Sequence, residues 1–392
     1  MKKLLILILS ALCIHGCIYP FEGGFPEDAP RYLVVSGDIL IGEETIITLG
    51  YVFPVGTYTS TMRSDVPRGT VTVETDKGRS YTGTRKAGGV YLIDTSEAPD
   101  DANYRLRVQL DDGRTYETPW SRVYPAPEIT GLSYTVDDKV VRFLLSMDGS
   151  DDLWNFRWDY TETWEYHAWF VPEVMFVPGL PERYRENPSR IYREPTEDED
   201  YYYCWNSRES VEPCLASAEG RTVSKIVNEN FLTIQRTDER MMVMYSLEVT
   251  ASGISPAGLA YLNHQNQVSN VSGDLFQPVP SEMKGNISNV DNPDEMTIGF
   301  VEVCRRSNQR IYVNTSGIYR YGMDPELLLY YPEADEDGKY NYDSLYGSDS
   351  PVRVDGEAPT NSNVKWGIKR CTDCRAWGGT KRKPEGWPTS HK

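Results

Sequence analysis

The feature that most constrains the fold is a series of short runs, between residues 31 and 125, in which apolar and polar residues alternate. Alternation with a period of two is typical of a strand with one buried face. Asp112-Gly113 stands between the last two runs, and Asp-Gly in that position is a strong signal for a tight hairpin. Short strands separated by turns predict an immunoglobulin-like β-sandwich over residues 31–125. The predicted strands are Tyr32–Leu40, Glu44–Leu49, Thr70–Thr75, Gly89–Asp94, Tyr104–Leu110 and Arg114–Thr118.

A larger β region follows, over residues 126–392, after a Pro-containing hinge at residues 124–127. Residues 171–203 are rich in Pro and acidic residues and indicate a loop insertion. Ser255 and Pro256 suit the start of one short helix over residues 255–267. Aromatic side chains alternate in one segment and resemble the aromatic strands of fibronectin type III domains: Trp154, Trp158, Tyr160, Trp164 and Tyr166. We therefore expect a mostly β chain, an immunoglobulin-like sandwich followed by a larger fibronectin-III-like β domain with loop insertions and a Cys-containing tail.

The N-terminal residues predict a lipoprotein signal peptide over residues 1–16. Lys2 and Lys3 precede an apolar run of about a dozen residues, which is too short to span a bilayer. The run ends at Gly16-Cys17, where Cys17 would receive the lipid before cleavage. Acyl chains such as palmitate on one cysteine would then anchor the protein without a transmembrane helix. Residues 17–30 would form a lipidated tether. The alternative is an ordinary secreted protein in which Cys17 has no special role.

The charge balance argues against nucleic acid as a partner. The chain has 40 Lys and Arg against 58 Asp and Glu, for a formal net charge of −18. Such a surface repels phosphate backbones and anionic lipids. We expect no nucleic-acid binding.

The cysteines favour a disulfide in an oxidising compartment. Cys371 and Cys374 have the spacing of a redox pair or of half a zinc site, but a zinc site needs two further ligands. A disulfide that joins the C-terminal tail to the Cys204–Cys214 region is the preferred interpretation. The disulfide candidates are Cys204, Cys214, Cys371 and Cys374, and we predict neither a metal site nor a cofactor.

No catalytic motif accompanies the few histidines of the chain. His167, His264 and His391 lack a Gly-x-Ser-x-Gly, HExxH or phosphate-loop context. Paired carboxylates could hydrolyse glycosides without histidine, but 58 acidic residues make such pairs unspecific. We predict no catalytic residues, and a surface enzyme that hydrolyses glycans or peptides is kept as the alternative.

Aromatic residues supply the candidate ligand-binding surface. The sequence brings together aromatic side chains near the 171–203 insertion, which could stack on a carbohydrate or peptide: Trp164, Tyr166, Trp169, Tyr201 and Tyr202. The alternative is that these residues belong to the core of the sandwich.

An ordered series of residues along the chain resembles the domain of unknown function 4249 family of Bacteroidota outer-membrane lipoproteins. The series runs through Cys17, Tyr32–Leu40, Tyr203-Cys204-Trp205, Tyr261-Leu262, Leu275–Ser281, Gly285–Ile287, Ile298–Phe300, Cys371–Arg375, Gly378–Thr380, Pro384 and Trp387.

The resemblance implies an accessory role in the cell envelope and no established enzymatic activity. Members of this family resemble lipoproteins found near TonB-dependent β-barrel transporters, which implies such a transporter as partner. We therefore expect a non-catalytic, lipid-anchored outer-membrane lipoprotein that assists nutrient uptake or captures a ligand. A structural or adhesive envelope protein is a further reading. The single acid Glu22 after Cys17 favours the cell surface over the periplasmic face.

Overall fold

The computed structural model describes residues 32–52, 66–171, 201–270, 285–322 and 371–388, and the backbone of a few short elements between them. The predicted signal peptide, Cys17, the predicted tether and nearly all of the predicted 171–203 insertion lie outside the described residues. No helix in the described part of the chain is long and apolar enough to cross a membrane.

In the described part of the chain, strands account for most of the regular structure, and two α-helices accompany them. The helices are α1 (Pro256–Asn270) and α2 (Lys369–Thr372). The strands are β1 (Tyr32–Ser36), β2 (Ile39–Leu40), β3 (Glu44–Val52), β4 (Gly69–Thr75), β5 (Ser80–Thr82), β6 (Thr84–Arg85), β7 (Val90–Asp94), β8 (Tyr104–Leu110), β9 (Thr115–Glu117), β10 (Glu128–Val136), β11 (Val140–Asp148), β12 (Asn155–His167), β13 (Met175–Phe176), β14 (Tyr192–Arg193), β15 (Tyr203–Glu209), β16 (Cys214–Ser217), β17 (Lys225–Gln235), β18 (Met244–Gly253), β19 (Ser288–Asn289), β20 (Thr297–Ile298), β21 (Val303–Cys304), β22 (Arg306–Asn314), β23 (Leu329–Tyr330), β24 (Val352–Asp355) and β25 (Lys365–Gly367).

Two five-stranded sheets form the N-terminal sandwich. One has the strand order β20-β1-β3-β7-β6 and the other β19-β9-β8-β4-β5. The alternation in the sequence explains this arrangement, because in β8 every second side chain, from Tyr104 to Leu110, is buried in the core between the sheets. The Asp112-Gly113 hairpin joins β8 to β9, and Gly113 has the positive φ of 92° that this turn needs. The mostly β class and the N-terminal sandwich are confirmed.

The N-terminal sandwich also contains residues from much later in the chain. β20 pairs in parallel with β1, β21 pairs in parallel with β2, and β19 pairs with β9. Ile287, Val301 and Val303 are buried in the same core as β1 and β8. The sequence boundary at residue 125 assigns this segment to the second region. The structure places residues 285–304 with the first core, because Ile287, Val301 and Val303 are buried in it and β19, β20 and β21 pair with its strands.

The second sandwich is larger and contains the longest strand. Its sheets have the orders β10-β11-β17 and β15-β12-β18-β22, and β16 also pairs with β12. β12 has 13 residues and pairs along its length with three strands. The predicted helix is present as α1, and the Ser255 hydroxyl accepts a hydrogen bond from the backbone N–H of Gly258 at 2.8 Å, as an N-terminal cap does.

A buried ionic contact joins the two sandwiches. Arg157 of β12 donates to the carboxylate of Asp38, between β1 and β2, at 2.8 Å. The other Asp38 oxygen accepts the backbone N–H of Glu302 at 3.2 Å, and Glu302 in turn accepts from Ser255 at the start of α1. Because Asp38 and Glu302 are both buried, these bonds satisfy groups that would otherwise destabilise the junction.

We predict that Gly299→Ala destabilises the N-terminal sandwich by about 2 kcal/mol or more. Gly299 has a φ of 133°, and a Cβ there would overlap the carbonyl oxygen of Val35. The pairing of β20 with β1 would therefore be disturbed. Chemical unfolding followed by tryptophan fluorescence measures the change.

Gly317→Ala is the matched control, because a Cβ at Gly317 meets no atom within 4 Å. Equal stability of the two variants would show that residues 285–304 do not support the first core.

Candidate functional site

The inner face of β12 carries the side chains that organise the site. Even-numbered residues of β12 point between the two sheets of the second sandwich, and Phe156, Trp158, Trp164 and Tyr166 are buried there. On β18, Ala251 lies opposite Trp158 and Tyr245 lies opposite Trp164, and both are buried on the same face. Glu162 occupies one of these even positions and is fully buried, so a carboxylate lies in an otherwise aromatic and aliphatic row.

Three side chains satisfy the Glu162 carboxylate. Arg208 of β15 donates to Oε2 through Nε at 3.0 Å and Nη2 at 2.6 Å. Arg240 donates to Oε1 at 2.7 Å, and the Tyr245 hydroxyl donates to the same oxygen at 2.6 Å. Burial, together with the charge of Glu162, raises the pKa of Tyr245 well above its ordinary value. The phenol therefore stays protonated and keeps donating.

Asp238 holds Arg240 in place. Its two oxygens accept from Arg240 Nε at 2.9 Å and Nη2 at 2.7 Å, a bidentate arrangement that fixes the guanidinium plane. Asp238 also accepts from the backbone N–H of Arg240 and so caps the short 3₁₀ turn Glu239–Met241. Burial alone would raise the pKa of Asp238, but the hydrogen bonds from Arg240 outweigh it and lower that pKa. Asp238 is therefore ionised at neutral pH.

A surface cavity of about 360 Å³ lies beside this cluster. Its lining residues are Trp164, Arg208, Asp238, Glu239 and Arg240. The Trp164 indole is 6% exposed, and its Nε1–H has no acceptor within the described residues. Trp158 and Trp205 also have indole N–H groups without acceptors, but neither lines this cavity. A buried donor without a partner normally lowers the stability of the fold.

A disulfide joins the C-terminal tail to β15. Cys204 and Cys374 are bonded, and their Cα atoms are 5.7 Å apart. Next to this bond the Tyr166 hydroxyl donates to the carbonyl oxygen of Cys374 at 2.8 Å. The backbone of Trp205 exchanges hydrogen bonds with Thr380, which places the tail along the edge of β15. The predicted connection between the tail and the Cys204–Cys214 region is confirmed for Cys204.

The other two disulfide candidates are not in disulfides, so this part of the prediction is wrong. Cys214 lies on β16, opposite Trp158 at the far end of β12 from the tail. Cys371 is buried three residues before Cys374, and its carbonyl oxygen accepts from the backbone N–H of Phe170 at 3.0 Å. Of Cys204 and Cys214, only Cys204 lies next to the tail. The pairing of β15 with β12 places Cys204 opposite Tyr166. Since Cys374 is oxidised, it cannot be the thiolate ligand of a zinc ion.

A half-buried aromatic cluster adjoins the disulfide. We call it the aromatic surface, and its members are Trp169, Tyr201, Tyr202, Tyr321 and Trp377. Trp169 packs against Trp377 and Tyr321, with ring centroids 5.4 and 5.9 Å apart. The Tyr202 ring stacks on His167 at 5.0 Å. The Tyr321 side chain is 59% exposed, so the cluster reaches solvent.

Cations hold one ring of the aromatic surface. The guanidinium carbon of Arg375 lies 3.2 Å from the centre of the Tyr201 ring, and Lys381 Nζ lies 5.0 Å from it. Asp373 accepts from Arg375 Nε at 2.9 Å and from Nη2 at 2.7 Å. Tyr201 is therefore fixed by the same tail segment that the disulfide fixes.

The five ligand-binding candidates from the sequence separate into two groups. Trp169, Tyr201 and Tyr202 are partly exposed and belong to the aromatic surface. Trp164 is nearly buried but lines the cavity. Tyr166 is fully buried, and its hydroxyl is used by Cys374. The placement of Tyr166 on a ligand-binding surface is wrong, because the even face of β12 points into the core.

Sequence reasoning missed several residues of the site. They are Glu162, Arg208, Asp238, Arg240, Tyr321, Arg375 and Trp377. One signal was available, because Glu162 interrupts an alternating aromatic row at a position that must be buried. A carboxylate in such a position needs basic partners. Which arginines supply them depends on strand pairing and cannot be read from spacing.

The geometry defines a β-sandwich protein with a polar cavity and an adjoining aromatic surface. A family model described as "Domain of unknown function (DUF4249)" matches residues 18–310 of the chain. The protein belongs to this family, as the sequence resemblance indicated.

No curated protein matches this chain. Among solved structures, the crystal structure of trypsin-activated alpha-2-macroglobulin from Escherichia coli is similar over 58% of this chain and 15% of that chain, with 14% identity and a TM-score of 0.18. A TM-score of this size is too low to indicate a common fold.

We predict that Glu162→Gln lowers the free energy of unfolding by about 3 kcal/mol, because Arg208 and Arg240 would both lose the buried charge that they share. Glu248→Gln is the matched control, since Glu248 pairs with Arg310 on the outer face of the same sheet, where a pair contributes about 1 kcal/mol or less. Urea unfolding of both variants gives the comparison. Similar values for the two would contradict the structural role of Glu162.

We predict that removing the Cys204–Cys374 bond, by Cys204→Ala with Cys374→Ala, costs about 2–5 kcal/mol. The bond closes a long loop, since 170 positions separate the cysteines. Thermal unfolding measures the loss, and Cys214→Ala is the control. Peptide mapping without reduction should yield the 204–374 cross-link, and a cross-link through Cys371 instead would contradict the assignment.

Proposed function

We propose that this protein is a non-catalytic, lipid-anchored outer-membrane lipoprotein that captures a ligand for a TonB-dependent uptake system. The observation that carries the proposal is the aromatic surface. Trp169, Tyr201 and Tyr202 are all partly exposed. Trp169 packs against Trp377, Tyr202 stacks on His167, and Tyr201 lies under Arg375. Rings of this kind supply apolar contact area and a polar edge at low entropic cost, which suits carbohydrates and peptides.

The contacts that hold the aromatic surface in place support a role in ligand capture. The disulfide fixes the tail to β15, and the pair of Asp373 with Arg375 fixes the cation above Tyr201. Side chains that are already ordered lose little freedom when a ligand binds, so more of the contact energy appears as affinity.

The state of the buried carboxylate favours binding over catalysis. A general acid or base has to exchange a proton with the substrate, and a nucleophile needs a free lone pair. Both oxygens of Glu162 already accept hydrogen bonds from Arg208, Arg240 and Tyr245. This carboxylate acts as a structural anchor for the surrounding donors.

The lipid anchor and the transporter partner are proposed from the sequence alone. Lipid on Cys17 would hold the mature chain on the membrane, and the tether over residues 17–30 would place the sandwiches away from it. The family resemblance supports a TonB-dependent transporter as the partner and the cell surface as the preferred face.

The lipid anchor is tested by Cys17→Ser in native cells. We expect the wild-type protein to fractionate with the outer membrane and the variant to leave it. Intact-mass analysis of the wild-type protein should show the added acyl mass. A wild-type protein without lipid would contradict the anchor.

The accessory role is tested by pull-down of tagged full-length protein from native outer membranes in mild detergent, with mass spectrometry of the eluate. We expect a stoichiometric TonB-dependent transporter. Cells that carry the Trp169→Ala, Tyr201→Ala double variant should take up the nutrient of that transporter more slowly than cells with the wild-type protein.

Tyr134→Ala is the control, since Tyr134 is 41% exposed on β10 of the opposite sheet. Recovery of the lipoprotein without a transporter, or equal uptake by the double variant and the control, would count against the proposal.

A further inference from the structure

We propose that the free edge of β10 binds an extended segment of another protein by β-strand addition. Among the described residues, β10 pairs with β11 on one side, and its backbone makes no hydrogen bond on the other side. An unpaired strand edge presents a row of main-chain donors and acceptors that a further strand can use. This surface is separate from the aromatic surface, and the inference does not rest on the proposed ligand capture.

The hairpin turn after β10 determines which backbone groups point outward. The backbone N–H of Asp137 donates to the carbonyl oxygen of Val140 at 3.0 Å, so these two residues form a hydrogen-bonded pair. Hydrogen-bonded and non-hydrogen-bonded pairs alternate along an antiparallel ladder. Counting back along the register, Val136, Tyr134 and Leu132 occupy non-hydrogen-bonded positions. Their N–H and C=O groups therefore point away from β11, toward the free edge.

The second half of β10 is open to solvent and regular. Residues 133–136 are all exposed, with Tyr134 at 41% and Val136 at 42%. The shift in the register lies between Ile129 and Gly131, and the pairing is regular from Gly131 onward. No charged residue occurs between Ile129 and Val136. This half therefore lacks the bulge and the charges that usually keep a strand edge from pairing.

The other edge strands described in the two sandwiches are protected or short. β15 is covered by the tail, through the hydrogen bonds between Trp205 and Thr380. β17 has two register shifts, and Asn228 within it has a positive φ of 49°. β22 carries Arg306 and Arg310. The remaining edge strands, β5, β6, β16, β19 and β20, have two to four residues each. Strand addition is therefore favoured at β10.

The charges near β10 favour a partner segment with basic ends. Glu128 begins the strand and Asp138 lies in the turn after it, and both residues are exposed. Neither carboxylate has a partner among the described residues. An opposite charge on a neighbouring strand stabilises such a position. A segment that is uncharged in its middle and has Lys or Arg at its ends therefore complements the edge.

A second copy of this chain fits the edge less well than a basic segment. Pairing two β10 strands would bring together two molecules with a formal net charge of −18 each. Molecules with a large charge of the same sign repel one another. The occupant is therefore an extended segment of a different protein.

The test is fluorescence anisotropy of labelled peptides with the full chain purified in detergent. The first probe is acetyl-Lys-Lys-Thr-Val-Thr-Val-Thr-Lys-Lys-amide. In the second probe the five central residues are N-methylated, which removes their main-chain donors, and in the third probe Glu replaces every Lys. We expect the first probe to bind with a Kd of about 10 µM to 1 mM, and the other two to bind at least about 10-fold more weakly.

A matched pair of variants assigns binding to the edge. Tyr134→Pro removes one outward N–H and leaves the hydrogen bonds to β11 in place, because that N–H does not point at β11. Tyr134→Ala removes the ring and keeps the N–H. We expect Tyr134→Ala to bind the first probe like the wild-type protein, and Tyr134→Pro to bind it about 3- to 10-fold more weakly. Val136→Pro and Val136→Ala repeat the comparison.

Amide hydrogen exchange provides a measurement that does not depend on the variants. In the wild-type protein, the first probe should slow exchange at the outward amides of Tyr134 and Val136. The amides of Ser133 and Thr135, which belong to the ladder with β11, should change less. Thermal unfolding checks that each variant is folded.

Several results would overturn the inference. They are no binding of the first probe, equal binding of the N-methylated or the acidic probe, folded proline variants that bind like their alanine counterparts, and unchanged exchange at Tyr134 and Val136. Sedimentation velocity tests the other occupant. A dimer of the wild-type chain that Tyr134→Pro disrupts would assign the edge to a second copy and overturn the assignment to a different protein.

Discussion

The carboxylate of Glu162 lies in the interior of the second sandwich, and four segments of the chain meet at it. β12 carries the glutamate, β15 brings Arg208, the turn before β18 brings Arg240, and β18 brings Tyr245. Removing an ionised carboxylate from water costs several kcal/mol, and only donors in good geometry offset that cost. The positions of β15 and of the turn are therefore tied to one side chain. The polar cavity follows from this arrangement, since the arginines that reach Glu162 also form its walls.

The C-terminal tail likewise holds separate segments of the chain together. β15 is bordered by β12 on one edge, and the backbone of Thr380 bonds to Trp205 from the other side. Covering a sheet edge in this way prevents it from pairing with another chain. The Cys204–Cys374 bond makes the cover permanent in an oxidising compartment. Because the same tail carries Trp377 and Arg375, closing the edge also orders the aromatic surface.

Local features of the fold could be predicted from the sequence, and long-range pairings could not. Tyr104–Leu110 and the Asp112-Gly113 turn are specified by neighbouring residues, so period and turn chemistry identify them. β19, β20 and β21 have two residues each, too short to show a period, and their partners lie far back in the chain. The prediction that Tyr166 lies on a ligand-binding surface was wrong for a related reason. Alternation shows that two faces exist, but which one is buried depends on the sheet that packs against it.

In the proposed capture function, the cavity and the aromatic surface would contribute differently to recognition. An aromatic ring contacts any apolar face of suitable size, so the aromatic surface alone gives affinity with little selectivity. A polar cavity rejects ligands that leave its polar groups without partners, because an unmet donor or acceptor keeps its desolvation cost. Under the proposed capture function, selectivity would therefore reside at the cavity and affinity for longer ligands at the rings. Since Trp164 and Tyr166 are successive inner-face residues of β12, one rigid strand sets the spacing between the two parts.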